Sequence, residues 1–187
     1  MDIKAKILND KDLNRIIVRL AHQIIEKNKG AEHICILGMR TRGKIVAKRI
    51  ANEIKDIEKI DIPFGVIDTT LYRDDYNYRK KLRAPKVELT DIPFSIDNKN
   101  IILVDDVLYT GRTVRAAIDE IMDFGRPSSV QLVVLIDRGH RELPIQPDLI
   151  GEIIITSIGE EVRVRLAELD TTDEVLLIEV TNNDDIE

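Results

Sequence analysis

Residues 101–113, with the sequence IILVDDVLYTGRT, constrain the fold of this 187-residue chain more than any other stretch. Four apolar residues come first without alternation, which predicts a strand buried on both faces, as in a parallel sheet. Asp105 and Asp106 follow at its end, and a turn of small residues leads into a helical pattern. Apolar residues recur at helical spacing from Val114 to Met122, and Gly125 stands where a C-terminal cap belongs. The stretch therefore predicts a strand, an acid pair, a turn and a helix.

The turn in this stretch has the chemistry of a phosphate site. Backbone N–H groups at a helix N-terminus attract anions, Gly111 lets the backbone approach closely, and Thr110 and Thr113 add hydroxyl donors. Asp105 and Asp106 repel phosphate, but they can accept hydrogen bonds from a vicinal diol such as that of ribose. A phosphate site beside a diol site describes a ribose 5-phosphate. The alternative, an ordinary βα turn with an Asp cap, explains one aspartate but not the pair, the hydroxyls and the glycine together.

A second candidate anion loop lies nearer the N-terminus. Residues 34–37 are apolar and predict another buried strand, and residues 44–57 predict a helix with Val46, Ile50 and Ile54 on one side. Between them runs GMRTRG, residues 38–43, whose two arginines suit phosphate oxygens because guanidinium groups bind them in a bidentate manner. A βα loop with surface arginines is the alternative interpretation.

The remaining pattern alternates helices with strands. An amphipathic helix is predicted over residues 9–29, capped by Asn9 or Asp10 and ended by Gly30. Such alternation predicts an α/β fold with a mostly parallel central sheet, whose ligands lie beyond the carboxyl ends of the strands. Further strands are predicted over residues 62–72, 86–90, 130–136, 163–166 and 175–180, and a frayed end over residues 182–187.

Residues 73–85 form a long, highly charged connection inside what should be one domain. A connection of this kind is either disordered or a functional lid, and a solvated hairpin explains its composition equally well.

Composition excludes several classes of protein. Hydrophobic residues make up 43% and charged residues 33% of the chain, as in a globular protein. No segment approaches the ~20 apolar residues that a membrane span needs, and the N-terminus has no signal-peptide core, so a cytoplasmic location is expected. The single cysteine, Cys35, lies in an apolar run and is interpreted as a core thiol. A net charge of −6 argues against nucleic-acid binding without sequence specificity. The same net charge is compatible with a local basic face.

The run VDDVLYTGRT resembles the phosphoribosyl pyrophosphate (PRPP) motif of the type I phosphoribosyltransferases. The resemblance implies that fold over residues 1–187 as a single domain, with a mostly parallel sheet flanked by helices. It also implies a flexible β-arm at about 66–95 that closes over PRPP, and a small hood at about 138–187 together with the N-terminal segment. The loop at residues 38–43 would bind pyrophosphate, often in this family through a strained peptide bond, here expected within residues 39–41.

Three further pieces narrow the resemblance, namely TLYRDD, GRPSSVQL and DRGHRELPI. Together they are similar to a subgroup that combines uracil phosphoribosyltransferase activity with attenuation of pyrimidine operons. The implied reaction converts uracil and PRPP to UMP and pyrophosphate, with Mg²⁺ arriving on PRPP and no metal bound directly by the protein. The implied catalytic residues are Asp105, Asp106 and Arg40. The implied substrate-binding residues are Thr41, Arg42, Arg73, Val107, Leu108, Tyr109, Thr110, Gly111, Arg112, Thr113, Asp137, Arg138 and Val162. Another base, such as hypoxanthine or orotate, stays open.

The same subgroup binds a leader segment of pyrimidine mRNA, favoured by UMP or UTP, on a basic face formed across a homodimer or higher homo-oligomer. Spacing alone favours a solvated face for the outer stripe of the first helix, and the resemblance makes it an RNA surface. The candidate RNA-binding residues are Arg15, Arg19, His22 and Arg141. The chain departs from more basic members at Val18, Gln146 and Glu152, so a phosphoribosyltransferase without RNA binding is the alternative.

Overall fold

The computed structural model describes residues 2–69, 90–157 and 159–179. The described chain contains eight strands in two sheets and four helices, numbered in chain order. They are β1 Asp2–Leu8, α1 Asp10–Asn28, β2 Ile34–Met39, α2 Arg42–Glu58, β3 Phe64–Ile67, β4 Asn100–Leu108, α3 Arg112–Phe124, β5 Ser129–Asp137, β6 Leu149–Ile153, β7 Glu160–Arg165, α4 Ala167–Asp170 and β8 Glu174–Glu179. None of the described helices is long and apolar enough to cross a membrane.

The larger sheet has the order β3-β2-β4-β5-β6, and all its described pairings are parallel. This confirms the predicted α/β class. Its strands β2 and β4 are buried along most of their length, as their unbroken apolar runs require when helices cover both faces. Alternate residues of β4 point to opposite faces, so Ile102 and Val104 join one apolar cluster while Ile101 and Leu103 join the other.

Helices α1 and α2 cover one face of this sheet and α3 covers the other. The start of α1 is closed by a capping box in which Asn9 accepts from the Asp12 amide and Asp12 accepts from the Asn9 amide. The predicted stripe of α2, Val46, Ile50 and Ile54, is fully buried. Burial raises the pKa of the Cys35 thiol to about 11, which confirms a core thiol.

The smaller sheet has the order β1-β8-β7 and is antiparallel. The N-terminal segment and the C-terminal strands therefore lie side by side in one sheet. Its inner residues Val162, Val164 and Val175 belong to the same apolar cluster as α1 and α2.

Four features differ from the predicted elements. Strand β3 spans only Phe64–Ile67 and is an edge strand of the central sheet, whereas a strand over 62–72 was predicted. Strands β1 and β6 were not predicted: β1 is mostly exposed over its seven residues, and β6 has only five residues. Helix α2 begins at Arg42, two residues early, and β4 continues through Asp105 and Asp106 to Leu108. The predicted return strand at 86–90 and the end at 182–187 lie almost wholly outside the described residues, where Thr90 is described and is not in a strand.

An ion-pair cluster fastens α2 to the segment between β7 and β8. Arg49 of α2 donates to both oxygens of Asp173, at 2.7 and 2.8 Å, and to both oxygens of Glu168, at 2.9 and 2.5 Å. The Asp173 carboxylate also accepts the Ala167 amide at 2.8 Å. Hydrogen bonds from Arg49 hold the pKa values of both carboxyls below their usual range, although burial opposes the shift.

Replacing Arg49 by Met should therefore cost stability at neutral pH and less in acid. The two carboxyls have depressed folded pKa values, so their contribution is complete above the unfolded values of about 4.3 and 3.9 and is lost as pH falls through the folded values. Glu168 is half exposed, so we expect a loss of about 1–2 kcal/mol at pH 7, measured by urea unfolding. Arg115→Met, which removes an exposed surface pair with Asp119, is the control and should change little at any pH. A loss for Arg49→Met that stays constant from pH 7 to pH 2.5 would contradict the assignment.

Candidate active site

Most of the predicted site residues lie at or directly after the carboxyl ends of β2, β4 and β5. These strands are neighbours, with Gly38 paired to Val104 and Leu108 paired to Asp137, so their carboxyl ends share one edge of the sheet. A cavity of about 290 Å³ opens there. It is lined by Asp105, Val107, Leu108, Tyr109, Thr110, Gly111, Arg112, Thr113, Val114 and Glu142. The edge of the sheet therefore holds the stretch that the sequence singled out.

Asp105 and Asp106 lie within strand β4, near its carboxyl end, and not after it. Asp105 is 7% exposed, and one of its carboxylate oxygens accepts the backbone N–H of Asp106 at 2.9 Å. Desolvation raises the pKa of Asp106, and the hydrogen bond to Asp105 and the charge of Arg42 oppose that rise. Two carboxyls so near each other and so little hydrated are ready to accept hydrogen bonds from hydroxyl groups.

The two helices that begin at this edge lack the side-chain cap that closes α1. The N-cap of α2, Thr41, makes no side-chain capping bond, and the N-cap of α3 is Gly111. The Arg112 amide donates to Thr110 Oγ1 over a long 3.3 Å. Neither helix has an acidic residue in its first turn, and each begins with an arginine, which the helix dipole disfavours there. Open amides and positive side chains at two adjacent helix N-termini suit a polyanion.

Close backbone packing explains the glycine that follows Arg42. A Cβ on Gly43 would stand 2.9 Å from the Val104 carbonyl oxygen and 3.0 Å from both Cα and Oδ1 of Asp105. Only a glycine allows α2 to begin against the acid pair without displacing it. Gly111 has a φ of +92°, so the turn before α3 also takes a conformation that favours glycine.

The pyrophosphate loop predicted from the sequence has an unusual geometry. Its Arg40–Thr41 peptide bond is cis, within the residues where the resemblance placed an unusual peptide bond. Arg42 donates through Nη2 and Nε to Asp170, with the shortest contact at 2.8 Å. The loop thus leads from β2 directly to a contact with α4.

Two further arginines shape the rim of the cavity. Arg112 Nε donates to Glu142 Oε2 at 2.7 Å. The guanidinium of Arg138 stacks at 4.1 Å from the centre of the Tyr109 ring, and its Nη2 donates to the Glu160 carbonyl at 2.5 Å. Arg138 therefore connects the cavity to the start of the edge strand β7.

The residues predicted for a base pocket have structural partners of their own. Asp137 is 9% exposed and accepts the Gly139 amide at 2.9 Å and Arg141 Nη2 at 2.5 Å. Val162 lies on β7, two residues beyond Glu160, with its side chain in the core. Arg73 lies outside the described residues.

The candidate RNA-binding residues divide between two places. Arg15 and Arg19 line one surface depression together with Glu152, and His22 is exposed one turn along α1. Arg19 also donates to the carbonyls of Ile150 and Gly151. Arg141 lies elsewhere in the structure, where it donates to Asp137 and to the carbonyls of Tyr109, Gly139 and Ile145. The structure thus makes Arg141 a link within the active-site rim and does not place it in the depression that Arg15 and Arg19 line.

Sequence reasoning missed three residues that the structure brings to the site. Glu142 and Asp170 pair with arginines of the two anion loops, and Thr156 accepts from Arg138 Nε at 3.3 Å. Glu142 lies inside the quoted motif DRGHRELPI, so its charge was a usable signal. Asp170 is 128 residues from Arg42, and no periodicity or motif connects them.

The chain is similar in sequence to known proteins over nearly its whole length. The family model described as phosphoribosyl transferase domain matches residues 5–168. A curated relative from Pelotomaculum thermopropionicum, named Bifunctional protein PyrR, is 52% identical over 94% of this chain and 96% of its own. A protein of the same name from Chloroflexus aurantiacus is 50% identical over 98% of this chain and 100% of its own.

Solved structures share the fold at low sequence identity. A hypoxanthine-guanine phosphoribosyltransferase from Bacillus anthracis, with HEPES in its active site, superposes with a TM-score of 0.72 at 20% identity, covering 95% of this chain and 99% of its own. The hypoxanthine phosphoribosyltransferase of Trypanosoma cruzi, in complex with IMP, gives 0.71 at 16% identity and covers 95% of both chains.

Gly43→Ala should weaken anion binding more than its effect on stability explains. The new Cβ pushes α2 away from Asp105, so the helix amides and Arg42 move relative to the acid pair. We expect about 1–3 kcal/mol of lost stability in urea unfolding, typical of overpacking, and at least tenfold weaker binding of inorganic pyrophosphate by calorimetry.

Gly65→Ala is the matched control. Its Cβ would stand 2.9 Å from the Asp91 carbonyl and from Leu37 Cδ2, which is an equally tight contact on the edge strand β3. It should lose similar stability and keep its pyrophosphate affinity. Equal losses of affinity in both variants would show that general destabilisation is responsible.

Proposed function

The chain belongs to the phosphoribosyl transferase domain family, and from this premise we propose that it transfers the phosphoribosyl group of PRPP to uracil. The products are UMP and pyrophosphate. The near full-length relatives, at about 50% identity and named as bifunctional, support a second role in regulating pyrimidine genes.

One observation supports the transferase assignment above all others. The acid pair stands between two helix N-termini that lack side-chain caps and that each begin with an arginine. PRPP has a phosphate at one end of its ribose and a pyrophosphate at the other, with a diol between. The 5-phosphate fits the α3 turn at Thr110–Thr113, the pyrophosphate fits the Arg40–Arg42 loop, and the diol fits Asp105 and Asp106.

Each group of residues has a distinct part in the reaction. The N1–C1′ bond to uracil forms as the C1′–O bond to pyrophosphate breaks, its electron pair leaves with pyrophosphate, and positive charge develops on the ribose. The N1 proton of uracil is released to water. Asp105 and Asp106 orient the ribose hydroxyls and favour that charge. Arg40, Thr41 and Arg42 hold the departing pyrophosphate, and residues 107–113 fix the 5-phosphate. Catalysis is then orientation and electrostatics, with no covalent enzyme intermediate.

The residues at the site fit a Mg²⁺ ion that arrives with PRPP. Among the described residues no group of three histidine, cysteine or acidic side chains could hold a metal ion. Mg²⁺ keeps several waters and is bound largely through substrate phosphates, so an ion that arrives on PRPP needs no dedicated protein cage, and the charges of Asp105 and Asp106 would favour it beside the ribose. Bound there, the ion would neutralise charge on the leaving pyrophosphate.

The base is expected against the rim made by Asp137, Arg138 and the backbone near Val162. Arg138 connects Tyr109 to the start of β7, so this rim is held from both sides. A uracil edge offers carbonyl oxygens and N–H groups that backbone amides and carbonyls can read. Comparing uracil with hypoxanthine and orotate as substrates separates this proposal from another base specificity.

Asp105→Asn combined with Asp106→Asn should abolish UMP formation without unfolding the protein. The neutral amides keep the size of the side chains and lose the charge that favours the developing cation, so we expect kcat to fall by about 10³-fold or more. The assay follows UMP from uracil and PRPP.

Asp119→Asn with Asp123→Asn removes the same charge from the exposed face of α3 and is the control. It should retain normal turnover. Normal rates in the Asp105 and Asp106 variant would refute their role.

The second role is uridine-nucleotide-dependent binding of a pyrimidine leader mRNA, and one structural observation favours it. Arg15 and Arg19 are exposed on neighbouring turns of α1 and line the same depression, with His22 beyond them. We propose that this surface continues across a homodimer and contacts RNA phosphates. Glu152 also lines the depression, and its charge opposes such contacts.

Within this depression, substitution of an arginine and substitution of Glu152 should change RNA affinity in opposite directions. Arg15→Gln and Arg19→Gln should each weaken UMP-dependent binding and reduce the salt dependence by about one phosphate contact, whereas Glu152→Gln should strengthen binding. Gel shifts with a pyrimidine leader hairpin, at several salt concentrations, measure both effects.

Lys55→Gln removes an exposed cation from α2 and should leave RNA affinity unchanged. The absence of any UMP-dependent complex at low salt would remove the regulatory role and leave the transferase assignment in place.

A further inference from the structure

We infer that Asp170 of α4 is a positioning residue that holds the Arg42 guanidinium in the orientation needed to bind pyrophosphate. This inference rests on the proposed transferase function. It goes beyond that function because Asp170 lies in the segment after β7, far along the chain from both anion loops. Within the described part of the chain, Asp170 contacts the site through Arg42.

Arg42 and Asp170 form a bidentate contact that uses one edge of the guanidinium, the edge with Nε and Nη2. Arg42 Nη2 lies 2.8 Å from Oδ1 and 3.1 Å from Oδ2 of Asp170, and Nε lies 3.3 Å from Oδ2. Among the described residues, the hydrogen bonds of this guanidinium run through Nε and Nη2. The edge that carries Nη1 is therefore left for another anion, and an arginine held by one edge is well prepared to bind phosphate with the other.

Asp170 is itself fixed from the opposite side. Its Oδ2 accepts the backbone N–H of Leu166 at 3.0 Å, so the carboxylate is anchored to the end of β7. Burial pushes the pKa of Asp170 upward, but the hydrogen bonds from Arg42 and Leu166 outweigh it and keep the pKa below its usual value. The carboxylate is thus charged and immobile at neutral pH, as a positioning group must be.

Arg42 stands where an orienting partner has the largest effect. It is the first residue of α2, next to Gly43, whose backbone packs against Val104 and Asp105. Its charge is close enough to Asp106 to oppose the rise in pKa that burial causes there. A cation at a helix N-terminus is disfavoured by the helix dipole, and Asp170 compensates for this before the substrate anion arrives.

A second clamp on the same helix argues that Asp170 does more than fasten α2 to α4. Arg49, two turns further along α2, is paired to Asp173 by a bidentate contact through Nη1 and Nη2, and Asp173 likewise accepts an amide at the start of α4, that of Ala167. Because Arg49 also binds Glu168, the tether between the two helices is already strong. Asp173 therefore provides a matched comparison that differs in its distance from the anion loop.

The test compares Asp170→Asn with Asp173→Asn in the full chain, in the reverse reaction of UMP with pyrophosphate. Asp170→Asn should raise KM for pyrophosphate about tenfold or more and lower kcat, because Arg42 loses its fixed orientation. KM for UMP should stay within about twofold. Asp173→Asn should leave all three constants within about twofold, and urea unfolding should show comparable stability losses in both variants.

The outcomes separate the inference from the function on which it rests. Equal kinetic changes in the two variants, or a stability change alone in Asp170→Asn, would overturn the inference. A lower KM for pyrophosphate in Asp170→Asn would also overturn it, since Asp170 would then be competing with the substrate for Arg42. Wild-type protein without turnover would overturn the proposed function, and calorimetric binding of pyrophosphate to the same variants would still decide the role of Asp170.

Discussion

The parallel pairing of β2 with β4 is the constraint on which the rest of the site depends. It brings two strand ends to one edge of the sheet, and each strand is followed by a helix whose N-terminus opens at that edge. The glycine at position 43 lets α2 begin in contact with Asp105. Positive helix ends and negative side chains therefore meet within one small region, although the chain as a whole carries a net charge of −6.

This arrangement of charges lowers the stability of the folded protein when no ligand is bound. Desolvation raises the pKa of Asp106, and arginines begin two helices at the ends that repel them. By contrast, α1 has a complete capping box and acidic residues in its first turn, as a helix does when its start has only a structural role. The contrast within one chain separates the helices that serve the site from the helix that builds the core.

The spacing of apolar residues predicted the buried, regular strands and helices. It did not predict features that depend on contacts between distant segments of the chain. The unbroken apolar runs of β2, β4 and β5 and the stripes of α1, α2 and α3 were all recognised. Strand β1 was missed although Ile3, Ala5 and Ile7 alternate with polar residues, and this strand is mostly exposed, whereas β6 has only five residues and little pattern to recognise. The resemblance to the PRPP motif singled out the acid pair and the turn before α3, which the structure places at one edge of the sheet, and their ligands stay a prediction. The partner Asp170 was missed, because an ion pair between distant segments leaves no trace in local spacing, whereas Glu142 was missed although it lies within the motif DRGHRELPI.

Two kinds of contact join the smaller sheet to the rest of the structure, namely apolar packing and hydrogen bonds from arginines. Apolar residues such as Val162 and Val175 join the smaller sheet to the common core, while Arg42, Arg49 and Arg138 fix its orientation through directed bonds. Solved structures with 16–20% identity share the fold. Of these three arginines, Arg138 belongs to the rim proposed for the base, whereas Arg42 belongs to the loop proposed for pyrophosphate. Substitution of Arg138 is therefore expected to affect the base, and substitution of Arg42 to affect pyrophosphate.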